Sequence, residues 1–159
     1  MRHGGNVWEG QPADWLDFSA NLRPEGTPAW VMNTMRAALS QARYYPDRAM
    51  RAARAGLALY LGVDENCVLP TAGGAAAIDL TLGVRRGAVH VQQPTFGEYA
   101  ERAKAHGRRM AANQAIQADD TVVICNPNNP TGTLLSPNDV LRMHRDVRNS
   151  GGELIVDEA

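Results

Sequence analysis

The stretch that most restricts the fold is Thr121-Val122-Val123-Ile124-Cys125, followed at once by Asn126-Pro127-Asn128-Asn129-Pro130-Thr131-Gly132. A short β-branched run that breaks into Asn, Pro and Gly reads as a buried parallel strand whose C-terminal end turns into a stiff loop. Ligands of open α/β sheets bind at that end of the strands. Two prolines fix the backbone there, and adjacent amides offer donors and acceptors of fixed reach, which suits holding a flat polar ring better than moving a proton. Downstream, Gly152-Glu153-Leu154-Ile155-Val156 is a second apolar strand that leads into Asp157-Glu158-Ala159. If the two strands run parallel, Asn129 and Asp157 come to one edge of one sheet.

The rest of the chain alternates in the same way. Residues 1 to 28 are irregular, broken by Gly4-Gly5, Pro12, Pro24 and Pro28, with only Trp15-Leu16-Asp17-Phe18 extended. Thr27-Pro28 starts a helix carrying Val31, Met35, Leu39 and Ala42 to Tyr44-Tyr45-Pro46. Asp47 caps a second, with Met50, Ala53, Leu57 and Tyr60 or Leu61 inward and Gly62 as its stop. Val68-Leu69-Pro70 reads as a brief strand, and Thr71-Ala72-Gly73-Gly74-Ala75-Ala76-Ala77 as a turn opening a helix. Extended segments follow at 88–92, near 109–112 and at 121–125, separated by a helix over 96–106. Ser136-Pro137-Asn138-Asp139 caps a last helix with Val140, Leu141 and Val147 on its buried side. Strands spaced by helices give βαβ units and a mostly parallel sheet, an α/β fold with three αβα layers.

Composition excludes several classes. A formal charge of −1 gives no reason to expect nucleic acid as a partner. No apolar run approaches the ~20 residues of a membrane span, and the N-terminus has no signal-peptide core, so a cytoplasmic location is expected. Cys67 and Cys125 lie beside or within apolar strand-like runs and are expected to be buried reduced thiols; no metal centre is expected. The sixteen basic side chains include one lysine, Lys104, in a polar helical stretch closed by Gly107. Any Schiff base made by this chain would use it, whereas its surroundings read as those of a solvated surface lysine.

Asn-Pro-Asn-Asn-Pro-Thr-Gly at 126–132 followed by Val-Asp-Glu-Ala at 156–159 resembles the pyridoxal-phosphate enzymes of the aspartate-aminotransferase superfamily, and the resemblance runs from residue 3 to the last residue. It implies pyridoxal 5′-phosphate as cofactor and assigns 1–28 to an N-terminal arm and substrate segment, 29–62 to a helical part of the small domain and linker, and 63–159 to the N-terminal part of the cofactor-binding large domain. Asp157 would sit by the pyridine nitrogen and keep it protonated so that the ring can accept electrons. Asn129 would meet the ring 3-hydroxyl, while Asn126 braces the loop. Gly73, Gly74 and Ala75 would offer backbone amides to the cofactor phosphate at a helix start. Relatives usually carry Thr, Ser or Asp and then Glu where this chain has Ala75 and Ala76, which leaves only backbone donors. Phe96, in Pro94-Thr95-Phe96-Gly97-Glu98-Tyr99, would stack on the ring; packing of Phe96 and Tyr99 into the core is the other reading of that spacing. Tyr45 would cross a homodimer interface to the partner subunit's cofactor phosphate. In the family the Schiff-base lysine comes well after the Val-Asp-Glu-Ala strand, so this sequence is expected to be the N-terminal part of an enzyme roughly twice as long.

These residues concern the cofactor and serve decarboxylation or transamination alike. His3-Gly4-Gly5-Asn6, followed by Ser19-Ala20-Asn21, resembles the L-threonine-O-3-phosphate decarboxylases of cobalamin synthesis more than the histidinol-phosphate aminotransferases. His3, Gly4, Gly5, Asn6, Ser19 and Asn21 would then bind the small amino-acid phosphate substrate, with (R)-1-amino-2-propanol phosphate as product. A histidine beside open glycine amides suits a phosphate. An aminotransferase remains the alternative, and a non-catalytic fragment or binding module the further one.

Overall fold

A computed structural model describes residues 4–5, 16–111 and 114–158. The chain divides into two compact units, Met1–Val68 and Leu69–Ala159. In the first unit α1 spans Ala29–Ala38, with Pro28 in the cap position and a 3-10 turn, Leu39–Gln41, prolonging it. The second helix, α2, spans Arg51–Leu61 and stops at Gly62, whose φ of 68° is the left-handed conformation a helix stop favours. Asp47 does not occupy its cap position, which falls to Met50 at φ 49°. From further back it still serves the helix start, its carboxylate accepting from the N–H of Arg51 at 3.0 Å and of Ala49 at 3.1 Å. Those two bonds hold the Asp47 carboxyl below its ordinary value.

The inward face of α2 is also not the expected one. Leu57, Tyr60 and Leu61 are exposed and Ala58 is buried. The face is set by Arg54, which donates from Nη2 to the Glu65 carbonyl at 2.7 Å and so ties the helix to the 3-10 turn Glu65–Cys67. Cys67 is exposed, because it belongs to that surface turn rather than to a strand. Val68, Leu69 and Pro70 form no strand.

The second unit is the α/β body. Its elements are α3 (Gly74–Val84), β1 (Val89–Val91), α4 (Glu98–Ala105), β2 (Met110–Ala111), β3 (Thr121–Cys125), α5 (Pro137–Asn149) and β4 (Glu153–Asp157). The strands form one parallel sheet in the order β2-β1-β3-β4. From β1 the chain crosses through α4 to one side, and from β3 through α5 to the other. Right-handed crossovers of opposite direction put the two helices on opposite faces.

Packing agrees with that assignment. Val89, Val91, Val123, Cys125 and Ile155 share one face with Ile78 and Leu82 of α3 and with Tyr99 and Ala103 of α4. Burying side chains of this size removes about 1.5–3 kcal/mol each from water's side of the balance. On the other face α5 is held by the capping box foreseen at Ser136 and Asp139, and its buried residue is Val147. Leu141 is exposed, contrary to expectation, and Met143 takes the inner position with Val140. Spacing of three and four residues among 140, 143 and 147 follows one helical stripe, which 141 leaves.

Candidate functional site

The order of the strands fixes where a ligand can meet this sheet. The connections from β1 and β3 lead to opposite sides of the sheet, and the crevice above the C-terminal ends of these two parallel strands is the topological switch point. A pocket of about 160 Å³ opens there, lined among others by Gln92, Gln93, Thr95, Asn128, Thr131 and Met143. Neither this pocket nor a more open depression along the outside of α5, at Arg142 and Arg145, is lined by a residue foreseen for the cofactor or the substrate.

Register brings the two key strands together as expected. Thr121 to Cys125 pair in parallel with Glu153 to Asp157, so that Cys125 faces Asp157. The N–H of Asn126 then donates to the Asp157 carbonyl at 2.8 Å, carrying the pairing into the loop. The loop closes on itself, with the N–H of Asn128 donating to the Thr133 carbonyl at 2.8 Å and that of Gly132 to the Asn128 carbonyl at 2.7 Å. The peptides before Pro94, Pro127 and Pro130 are cis.

The three asparagines of the loop have separate tasks. Asn126 braces it, as foreseen: its Oδ1 accepts from the Leu135 N–H at 2.8 Å and its Nδ2 donates to the Leu135 carbonyl at 3.3 Å. Asn128 ties the ends of β1 and β3 to each other. Its Oδ1 accepts from the Thr95 hydroxyl at 2.7 Å, and its Nδ2 donates to the Pro94 carbonyl at 3.0 Å and to Thr131 Oγ1 at 2.8 Å. Asn129 is exposed, and among the described residues its amide makes no hydrogen bond. Of the three it is the one whose amide the loop itself does not use.

Asp157 ends β4 half-buried, and the Tyr99 hydroxyl donates to its Oδ2 at 2.6 Å. Tyr99 is completely buried. Burial first, then the hydrogen bond to Asp157 and contact with the Cys125 thiol, push its phenol far above the usual tyrosine value, so it is a neutral donor at any working pH. The Tyr99 ring meets Phe96 edge to face, 5.7 Å between centroids at 84°. Phe96 itself is half-buried against the core cluster.

The glycine turn lies at this same end of the sheet. The Asp79 carboxylate of α3 accepts from His106 Nε2 at 3.1 Å and lies 4.0 Å from Arg102, while Gly83 of α3 abuts the same His106. The helices α3 and α4 therefore run side by side in the same direction. Since α4 starts beside Asp157, α3 also starts at the C-terminal end of the strands. Gly73 precedes it at φ 84° with its own N–H donating to the Thr71 carbonyl at 2.9 Å, so that amide is engaged within the turn and not open as expected; no side chain caps the helix, and a Cβ on Gly73 or Gly74 would meet nothing within 4 Å. The amides of Gly74, Ala75 and Ala76 thus face open space at a positive helix end, an anion site in form.

Lys104 is exposed in the last turn of α4, at the opposite end of the helix from Asp157. In the first unit the substrate-segment residues partly gather. The Gly5 N–H donates to Ser19 Oγ at 2.8 Å, and a Cβ on Gly4 would lie 1.8 Å from the Ser19 carbonyl, so position 4 has room only for glycine. Asn21 and Tyr45 are exposed, Tyr45 almost fully at 99%. His3 and Asn6 lie outside the described residues. Sequence reasoning missed Tyr99 as a partner of Asp157 and Asn128 as the tie between loops; the available signal was a polar-tipped aromatic three residues after Phe96 at a helix start.

Comparison with known proteins decides the family. The model of the family described as Aminotransferase class I and II matches residues 13–159. The chain belongs to that family. A threonine-phosphate decarboxylase from Sinorhizobium sp is 35% identical over 170 residues, covering 99% of this chain and 50% of its own. A histidinol-phosphate aminotransferase from Desulfitobacterium hafniense is 28% identical over 92% of this chain and 46% of its own. Among solved structures, the histidinol-phosphate aminotransferase from Sinorhizobium meliloti in complex with pyridoxal-5′-phosphate superposes with a TM-score of 0.76 at 20% identity, over 88% of this chain and 43% of that one. The chain thus spans about half the length of the curated relatives it matches. Its fold is the expected one, the parallel-sheet fold of the pyridoxal-phosphate aminotransferases, represented over about half of such an enzyme.

Proposed function

We propose that this class I and II aminotransferase-family chain cradles pyridoxal 5′-phosphate and serves the decarboxylation of L-threonine O-3-phosphate to (R)-1-amino-2-propanol phosphate. The observation that carries the cofactor reading is the set of groups at one sheet end: the carboxylate of Asp157, the unengaged amide of Asn129, the Phe96 ring and the open start of α3. These fit the group. Asp157 would hold a proton at the pyridine nitrogen, Asn129 would donate to the 3-hydroxyl, Phe96 would cover one ring face, and the amides of Gly74 and Ala75, with Gly73 leaving them accessible, would bind the phosphate. Bound in this way the cofactor supplies an electron sink for the electron pair left at the substrate α-carbon. The protonated nitrogen is what makes the sink effective, and that is the task of Asp157.

Decarboxylation is favoured over transamination by the 35% identity to a threonine-phosphate decarboxylase along nearly the whole chain. The tight Gly4-Gly5-Ser19 cluster, with His3 and Asn6 beside it in sequence, is assigned to the substrate phosphate, and Asn21 to the same segment. Tyr45 is assigned to a partner subunit's cofactor phosphate in a homodimer, for which its full exposure is a precondition. Place in cobalamin synthesis and a cytoplasmic location follow from the same reading; no helix among the described residues is long and apolar enough to cross a membrane. The alternative is a histidinol-phosphate-type aminotransferase.

Supplying L-threonine O-3-phosphate and pyridoxal 5′-phosphate to the full-length protein separates the reactions. Carbon dioxide without 2-oxo acid is the expected outcome, and stoichiometric 2-oxo acid would replace it with the aminotransferase. For the cofactor, pyridoxamine 5′-phosphate, which needs no lysine to bind, is titrated by its fluorescence. Asp157→Asn should weaken it about tenfold or more, the worth of a charge-assisted hydrogen bond.

A further inference from the structure

A completely buried tyrosine must find a partner for its hydroxyl, and a backbone carbonyl usually serves. Tyr99 instead spends its proton on Oδ2 of Asp157, at 2.6 Å, within the range of O–H bonds to a charged acceptor. Its ring simultaneously meets the Phe96 ring edge to face, 84° away in plane. One side chain therefore touches both groups that would grip the pyridine from different directions. It is itself immobilised by the core formed with Leu82, Val89 and Cys125.

We propose that Tyr99 is a positioning residue that fixes the Asp157 carboxylate through its hydroxyl and the Phe96 ring through their edge-to-face contact, so that both present to one pyridine ring in a single geometry. This rests on the reading of Asp157 as the partner of the ring nitrogen. The phenol suits the task because it donates without adding charge. A lysine or arginine in its place would compete with the pyridinium for the carboxylate. Loss of the Tyr99 hydroxyl would loosen the orientation of the carboxylate, and the proton at the ring nitrogen would be held less firmly.

A merely structural Tyr99 predicts something different: removing its hydroxyl would lower stability and leave the ring proton untouched. The experiment follows the ring ¹⁵N shift of labelled pyridoxamine 5′-phosphate against pH when bound to this chain, with thermal midpoints recorded alongside. Asp157→Asn is expected to abolish the upward displacement of the nitrogen's titration relative to the free compound. Tyr99→Phe, which keeps the edge contact with Phe96, is expected to bind the compound but lower proton affinity at the nitrogen about tenfold. Tyr99→Leu, which loses the edge contact too, should in addition weaken binding of the compound. If Asp157→Asn shifts the titration and Tyr99→Phe does not, Tyr99 is a core residue only and the proposal is overturned alone. No binding by the unaltered chain, or an unchanged titration in Asp157→Asn, overturns the cofactor reading and this role with it. Should Tyr99→Phe fail to fold, Tyr99→p-aminophenylalanine, of the same shape but a weaker donor, decides: a smaller loss in the same direction upholds the role, and the unaltered titration overturns it.

Discussion

Asn126, Asn128 and Asn129 are the same residue type within four positions, and their surroundings give them different values. Asn128 makes bonds to Thr95, Pro94 and Thr131 that join two strand ends, whereas the exposed amide of Asn129 bonds to no described residue. Replacing a paired, half-buried amide strands its partners; replacing an unpaired exposed one costs little. Asn128→Ala should therefore lower unfolding free energy by about 1–3 kcal/mol, and Asn129→Ala by no more than about 0.5 kcal/mol. For pyridoxamine 5′-phosphate the order inverts at Asn129, whose loss should weaken binding about tenfold with the fold intact. Chemical denaturation and fluorescence titration on the two variants check both halves. The bracing role of Asn126 was readable from the motif, and its two bonds to Leu135 bear it out. Which asparagine would bridge to β1 was not readable, since that depends on Thr95 and Pro94 arriving from thirty-odd residues earlier.

Among the elements, the lower ends of β1 and β3 are joined by a buried carboxylate. Asp120 accepts from the Ala88 N–H at 2.7 Å, the Gln117 N–H at 2.9 Å and His90 Nε2 at 2.8 Å. Burial by itself would raise its carboxyl, but the bonds from Gln117, His90 and Ala88 together outweigh it and hold the group below the ordinary value of 3.8. A carboxyl lowered by folding contributes stability that is present above 3.8 and is lost as pH falls through the folded value. Asp120→Asn turns an acceptor into a group with donors facing N–H groups, and should cost about 1–3 kcal/mol at neutral pH. Below the ordinary carboxyl value the gap between the two proteins should close, and urea unfolding at a series of pH values measures it. Nothing in the local pattern of Ala118-Asp119-Asp120 announces this role. Strand positions were legible because β-branched runs are local signals, and the run 121–125 matches β3 residue for residue. Faces of helices were less so: Leu141 and Met143 are equally apolar, and only the phase of α5 on the sheet selects Met143.

On the scale of the whole molecule, the sheet's two flanks are unequal. The short β2 closes one side, whereas β4 presents five residues, all half-buried, and among the described residues has β3 as its single neighbour. The Glu153 N–H donates to the Asp120 carbonyl and the Asn126 N–H to the Asp157 carbonyl, which orients residues 153, 155 and 157 toward β3. In a parallel ladder the N–H groups of Leu154 and Val156 then point away from it. An apolar edge with outward donors and no proline or lysine is a template for further strands. Studied alone, the chain should accordingly self-associate with rising concentration. Leu154→Pro removes one outward N–H, leaves the ladder to β3 intact, and places Pro at the kind of edge position where it is tolerated. It should shift association to higher concentration in sedimentation velocity while far-UV circular dichroism stays unchanged. Ile155→Pro, which deletes an inward donor, should instead unfold the sheet, and equal behaviour of the two variants would contradict the register of β3 and β4 on which the placement of Asp157 depends.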